Sequence, residues 1–494
     1  MTLERSPSAR YRIGLAIIVV TVLSLYFWTN NPEHDWGGDF SMYVSHARNL
    51  SEGLPYGQTT YIPPPGVIPG PPSYPPVYPI LLWPVYALYG LQYDKLKAVG
   101  FLCFVLSLWM IHKTVLQSLS QRYALLLVAA IGFSPYFFQF KDNVLSDIPF
   151  LFFTYLTLAS ILARPADPVR RRDQLFRGLG IGIAMYVTYA TRSIGAVLLP
   201  ALILNDVFAY RRVTTTTIIA SAVFLIFFAA QNLLLRSEQF YLQVLTLNFD
   251  VIITNSVAYL KSFSIMWKTG TGELLRTVVF VFFSVLAAIG FFLKARQKIT
   301  ILELFFVLYF APLVLFSVGE YTQQRYIIPL LPLYLMYGFH ACEQLTLRST
   351  FVRKAKPFVL CLSLIAIVYV LRFTNLDETA LDRGVTSPDA EDLFTWVQTN
   401  THQNDVILFG KPRVLALYTS RKTTSHHGHR TLDAFWKYGK DLKAQYVISP
   451  RDGMKAEIDE VRPDFIERLV RAHKNQLTLV HENAGFSVYR IDNK

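Results

Sequence analysis

The sequence predicts a polytopic α-helical membrane protein with about eleven spans, outer juxtamembrane helices and a small C-terminal α/β domain outside the membrane. Three observations lead there. Hydrophobic residues make up 52% of the chain and charged residues 16%, against about 25% charged in soluble domains. Apolar runs close to the roughly 20 residues that a span needs recur between Ile13 and Phe373. The stretch that follows, 374–494, is the one long hydrophilic segment. The formal net charge of +13 fits basic cytoplasmic loops. No nucleic-acid-binding motif accompanies it. Cys103, Cys342 and Cys361 all lie in apolar runs, so no disulfide framework or zinc motif is implied.

Arg5, Arg10 and Arg12 precede the first apolar run, Ile13 to Trp28. A signal peptide shares that layout, but no small-residue cleavage site follows and the run is long enough to span. It reads as the first span, with its basic end in the cytoplasm. Further spans centre on 98–115, 122–140, 146–163, 177–191, 193–210, 213–232, 276–294, 300–318, 326–345 and 357–373. The run 76–92, "PVYPILLWPVYALYGLQ", is short and broken by Pro79 and Pro84. Charge parity decides its place. The basic segments at 164–177, 210–212, 294–298 and 347–356 all belong in the cytoplasm. That requires 76–92 not to cross. It is expected as an outer juxtamembrane or re-entrant helix, anchored at the interface by Trp83, Tyr78, Tyr86 and Tyr89. The N-terminus then lies inside and the C-terminus outside.

Residues 1–373 are thus expected as the membrane domain, with a first outer loop at 29–97, and 374–494 as an extracytoplasmic domain. In the tail, Ser387, Pro388 and Asp389 make a good helix start. "DVILF", "AQYVIS", "LTLVHE" and "FSVYRI" read as short strands, and "RPDFIERLVRAH" as a helix between them. The proline cluster at 62–79 should be extended and stiff.

Ionisable residues at membrane depth are costly and mark functional sites. The stretch "HDWGGDFSMYVSHARNLSEG", His34 to Gly53, holds Asp35 and Asp39 directly after the first span. Asp142 and Asp147 sit in "KDNVLSDIPF", Arg192 in "YATRSIG", and Glu320 and Arg325 in "GEYTQQRYIIPLLP". Topology puts all of them at helix ends on the outer side. Such a set suits chemistry on a lipid-linked substrate whose phosphate lies at the interface. Guanidiniums bind phosphate oxygens bidentately. A carboxylate can take a proton from an incoming hydroxyl or amine and can stabilise an oxocarbenium-like state. Each residue also has a plainer reading. Asp39 and Asp147 would serve as helix N-caps. Arg192 and Arg325 would serve as interfacial anchors, and Glu320 as a solvated turn residue. His34 and His46 read as hydrogen-bonded side chains. His426, His427 and His429 in "SHHGHR" look like a metal tract, but with no Cys or carboxylate nearby in sequence they read as a polar loop.

The chain resembles the GT-C membrane glycosyltransferases, in particular the branch with protein O-mannosyltransferases, the aminoarabinose transferase of lipid A and the RgtA/B/C/D-like enzymes. The likeness is carried by Asp39, Tyr43, Ala47, Leu50 and Gly53 followed by "PPSYPPVYPILLWP", then by "NVLSDIPFLFF", "YATRSIGAVLLP" and "QRYIIPLLPLYL". "LFTWVQTNTHQNDVILF" and "ALYTSRKTT" in the tail also resemble this group. The resemblance implies a GT-C type fold and transfer of a hexose or pentose from a polyprenyl-phosphate donor, with inversion. The acceptor would be a glycan, lipid or protein on the outer face of a bacterial inner membrane. It implies that Asp39 is the general base, that Arg325 and Arg192 contact the donor phosphate, and that Asp147, Asp142, Tyr43 and Glu320 line the site. Many members have Asp-Glu where this chain has Asp39-Phe40, which leaves Asp35 as a rival base. No cofactor or metal site is assigned, and a divalent-ion requirement is left open. Two other classes share the spans and basic loops: a lipid-linked glycan flippase or transporter, and an envelope scaffold that binds through its tail. A flippase would carry charges along a central path and internal repeats. Here the charges gather at outer helix ends and no repeat is seen.

Overall fold

The computed structural model describes residues 9–64, 74–164, 170–235, 248–270, 272–316, 318–376 and 379–492. Arg5 and the centre of the proline cluster lie outside the described residues. Each of the eleven expected spans is helical. Among the described residues, six helices are long and apolar enough to cross a membrane: Ala9–Trp28, Tyr93–Val115, Gln121–Asp142, Ser193–Tyr210, Thr215–Leu235 and Glu273–Gln297. Asp147–Leu162, Ile301–Leu313 and Pro357–Phe373 are apolar but shorter. Arg171–Tyr189 and Leu331–Arg348 complete the set.

Close backbone approach packs part of this bundle. Gly178 and Gly182, one helical turn apart, face the helix Thr215–Leu235. A Cβ on Gly178 would lie 2.7 Å from the Ile219 Cβ, and one on Gly182 would lie 2.7 Å from the Ala220 carbonyl oxygen. Spacing of small residues at four is a membrane-helix packing device, because it lets backbones meet where lipid supplies no hydrophobic drive.

The run 76–92 forms the helix Val77–Tyr89 with Pro84 inside it. Tyr78 and Leu82, one turn apart, are fully buried, and the Tyr78 ring meets Tyr43 edge-on at 5.0 Å. Tyr78 is therefore a core residue and not the interfacial anchor expected of it. The side turned away from the core carries Ile80, Trp83, Leu88 and Tyr89, all exposed. The partner helix Gly38–Glu52 ends at Gly53, whose φ of 67° is left-handed and whose N–H bonds the Asn49 carbonyl. A residue with a side chain would be strained there.

The tail builds a five-stranded sheet from β1 (Val406–Leu408), β2 (Lys422–Thr424), β3 (Tyr446–Pro450), β4 (Leu477–Glu482) and β5 (Phe486–Ile491). The order is β2-β1-β3-β5-β4. β1 runs parallel to β2 and β3, and β5 runs antiparallel to β3 and β4. The four expected strands are all present. The edge strand β2 was not expected: three residues, Lys422-Thr423-Thr424, give no readable alternation. The helix Pro388–Asn400 starts where expected, with the Ser387 side chain accepting from the Ala390 N–H at 3.4 Å.

The loop after the first helix and the tail share one apolar core. Trp36, 2% exposed, packs against Phe394, Phe409 and Phe486 with ring centroids 5.7–6.0 Å apart. Fully burying one such aromatic side chain contributes about 1.5–3 kcal/mol. The Trp36 indole donates to the Arg383 carbonyl at 2.8 Å, and the Val385 N–H donates to the His34 carbonyl at 2.8 Å. Gly384 passes so near that a Cβ there would sit 2.0 Å from the His34 oxygen. Thr423 in β2 also holds the loop, accepting from the Ile62 N–H at 2.8 Å.

Candidate active site

Helix Gly38–Glu52 presents Asp39 in its first turn. The N-cap is Gly37, and no side chain caps the helix, so the capping reading of Asp39 does not hold. Its Oδ1 instead accepts from the Tyr74 hydroxyl at 2.9 Å, and its Oδ2 accepts from Arg325 Nη1 at 2.8 Å. Asp147 opens the helix Asp147–Leu162 behind the N-cap Ser146, again without a side-chain cap. Its carboxylate accepts from Arg192 on one oxygen, and from Arg325 Nη2 at 2.8 Å and Nε at 3.3 Å on the other. Arg325 thus forks between the two acids. Both arginines point inward, so neither is an interfacial anchor. Asp147 has no exposed side-chain surface, while that of Asp39 is 33% exposed.

Tyr43, one turn after Asp39 on the same face, joins the two acidic elements through a 2.7 Å hydrogen bond with the Ser146 hydroxyl. The tail adds a residue that sequence reasoning missed. Arg413 Nη1 donates to the Tyr74 hydroxyl at 2.8 Å and lies 3.8 Å from Asp39 Oδ1, with its guanidinium over the Tyr61 ring at 5.2 Å. Its one signal is position. It follows the carboxyl end of the parallel strand β1, where open α/β sheets place functional loops. Tyr74 was missed too, as one tyrosine within the proline cluster.

The site holds three guanidiniums against the two carboxylates of Asp39 and Asp147. Burial alone would raise the Asp39 carboxyl, but the Arg325 and Arg413 charges and the hydrogen bonds from Arg325 and Tyr74 outweigh it and hold the pKa down to about 2. Among the described residues Arg192 donates one hydrogen bond, to Asp147, while its guanidinium lies over the Tyr326 ring at 4.9 Å.

Asp35 stands apart from this cluster. Its Oδ1 accepts from the Gly37 N–H at 2.8 Å, and it lines a cleft of about 200 Å³ with Tyr136, Gln139, Phe140, Asn143, Tyr321 and Gln324. Burial would raise its pKa as well, but His34, the Gly37 amide and Lys411 bring it down to about 2. Asp142 is not brought into the cluster: its carboxylate is taken by the adjacent Lys141 at 2.7 Å. Glu320 is exposed and accepts from Gln324 at 2.9 Å, as a turn residue would. His34 and His46 are both buried, and each accepts a backbone N–H on Nε2, from Val144 at 3.2 Å and Tyr74 at 3.1 Å respectively. They shape the loop rather than line the site. Lys97, 2% exposed, pins the start of the same loop by donating to the Asn31 carbonyl at 2.7 Å and to the Glu33 carbonyl.

A bundle of apolar helices, a loop after the first helix folded onto a C-terminal α/β domain, and a charged cluster where the two meet make up a fold of GT-C type. Residues 73–234 match the family described as dolichyl-phosphate-mannose-protein mannosyltransferase. The chain is also similar to ArnT from Cupriavidus metallidurans bound to undecaprenyl phosphate, at 14% identity and a TM-score of 0.59 over 98% of both chains. It is similar to the apo oligosaccharyltransferase of Archaeoglobus fulgidus at 12% identity and a TM-score of 0.57, covering 91% of this chain and 71% of that one. At these identities the likeness establishes the fold. No curated protein sequence gives a significant match.

Proposed function

We propose that the protein is a glycosyltransferase that moves a sugar from a polyprenyl-phosphate donor to an acceptor on the outer face of a bacterial inner membrane. The supporting observation is the pairing of a partly open carboxylate, Asp39, with a fully buried one, Asp147, through a shared Arg325. The donor's lipid chain stays in the bilayer and its phosphate reaches Arg192 and Arg325 at the outer helix ends. The fold's likeness to ArnT with undecaprenyl phosphate bound supports a polyprenyl-phosphate donor.

As the acceptor hydroxyl or amine attacks the anomeric carbon, its proton passes to Asp39 and the bond from carbon to the phosphate oxygen breaks. The departing phosphate gains negative charge, which Arg325 and Arg192 stabilise in a site shielded from water. Attack opposite the leaving group inverts the anomeric centre. Asp147 takes no proton; it holds both arginines in place. The cleft beside Asp35 offers amide and phenol groups suited to sugar hydroxyls.

Transfer from polyprenyl-linked sugars tests this reading. Asp39→Asn removes the proton acceptor and keeps the shape, so kcat should fall by about 10²–10⁴-fold. Wild-type turnover in that variant would exclude Asp39 as base. Loss in Asp35→Asn alone would assign the role to its rival.

A further inference from the structure

We propose that the outer domain binds a divalent transition-metal ion of the zinc type between His426, His427 and Asp459. The tract "SHHGHR" lacks a carboxylate partner in its own neighbourhood of the sequence, but the fold supplies one. Asp459, from 33 residues further on, meets His426 directly: the His426 Nε2 to Asp459 Oδ2 distance is 2.5 Å. One donor atom from each of the three residues lies within 4.8 Å of the others.

The surroundings hold these groups as ligands. Asp459 Oδ1 accepts the Val461 and Arg462 amides at 3.1 and 3.0 Å, which aims Oδ2 at His426. Support of this kind orients metal ligands. The His426 ring is fully buried between Phe465, stacked at 4.4 Å, and the His427 ring at 4.8 Å. Its Nδ1 is buried with no hydrogen-bond partner, as is His429 Nε2. Ser425 Oγ lies 2.9 Å from His427 Nδ1, which orients that ring.

Zinc bonds of about 2.0–2.1 Å place tetrahedral ligand atoms roughly 3.3 Å apart. The His426–Asp459 pair would open by under about 1 Å while His427 closes in. Two cations lie near the site. The Arg462 guanidinium is engaged by the His429 carbonyl at 2.7 Å and the His426 carbonyl at 3.3 Å. Lys411 lies within electrostatic reach of Glu457 and Glu460 as well as Asp459. Three protein ligands leave a fourth position for water. The loop follows β2 directly, so a bound ion would stiffen the element that holds the first outer loop.

The test is zinc titration of the full chain in detergent, without a histidine tag, against a chromophoric chelator. Wild type should bind about one ion per chain. His427→Ala alters an exposed side chain and leaves the fold intact, and it should weaken binding by at least about tenfold. Asp459→Asn should do the same and abolish any zinc-induced rise in melting temperature. Failure of wild type to bind overturns the proposal. So does equal retention of zinc by a variant carrying both His427→Ala and Asp459→Asn, which would put the ion elsewhere.

Discussion

Asp39 shares Arg325 with Asp147, and the sharing sets its proton affinity. Held at about 2, Asp39 is ionised across the physiological range and is a weak base while the site is empty. The ordinary aspartate value is about 3.9. The stability that its pairing contributes is therefore fully present above that pH and is lost as pH falls through about 2. On the proposed function, a donor phosphate would compete for Arg325 and so raise the affinity of Asp39 for a proton. The acid limb of kcat, which reports the loaded enzyme, should then lie at higher pH than that of kcat/KM, which reports the free enzyme. Coincident limbs would show that Arg325 stays on Asp39 throughout. Four of the clustered residues were legible because charges at the ends of apolar helices need partners. Asp142 looked the same, yet its counter-ion is its own sequence neighbour, Lys141. Arg413 was hidden, because nothing local connects it to a tyrosine and an aspartate more than three hundred residues earlier.

At the scale of elements, the glycines of "GLGIG" in the helix Arg171–Tyr189 divide by face. Gly178 and Gly182 touch the helix Thr215–Leu235, whereas a Cβ on Gly180 would meet nothing within 4 Å. Gly178→Val and Gly182→Val should each force the helices apart and lower the melting temperature in detergent by several degrees, since overpacking costs about 1–3 kcal/mol. Gly180→Ala should be neutral or stabilising by up to about 1 kcal/mol, through helix propensity. Equal effects at all three positions would argue against this packing. Helix positions could be read because an apolar run states its own extent. Helix faces could not, because a lipid-facing and a protein-facing apolar residue look alike in sequence. Tyr78 and Trp83, both expected at the interface, part on that ground: one is fully buried and the other 44% exposed.

For the whole molecule, the basic segments predict an orientation that can be labelled. Val461, 85% exposed in the tail, and Leu347, 80% exposed beside a basic segment, should face opposite sides of the membrane. The three native cysteines are buried and give a quiet background. With a charged maleimide added to spheroplasts, Val461→Cys should react and Leu347→Cys should not. The reverse pattern would invert the topology.

The contact in which Gly384 slides beneath the His34 carbonyl has a bearing on biosynthesis. A ribosome delivers residues 34–39 long before 383–413, and ten of the eleven expected spans are made between them. Until the tail emerges and docks, Trp36 has no aromatic partners, and Asp39 has neither Arg413 beside it nor the strand that holds its loop. A chain whose synthesis stops early would sit in the membrane with all its helices and an unfinished site. On the proposed function, docking of the completed tail would be the step that assembles the site.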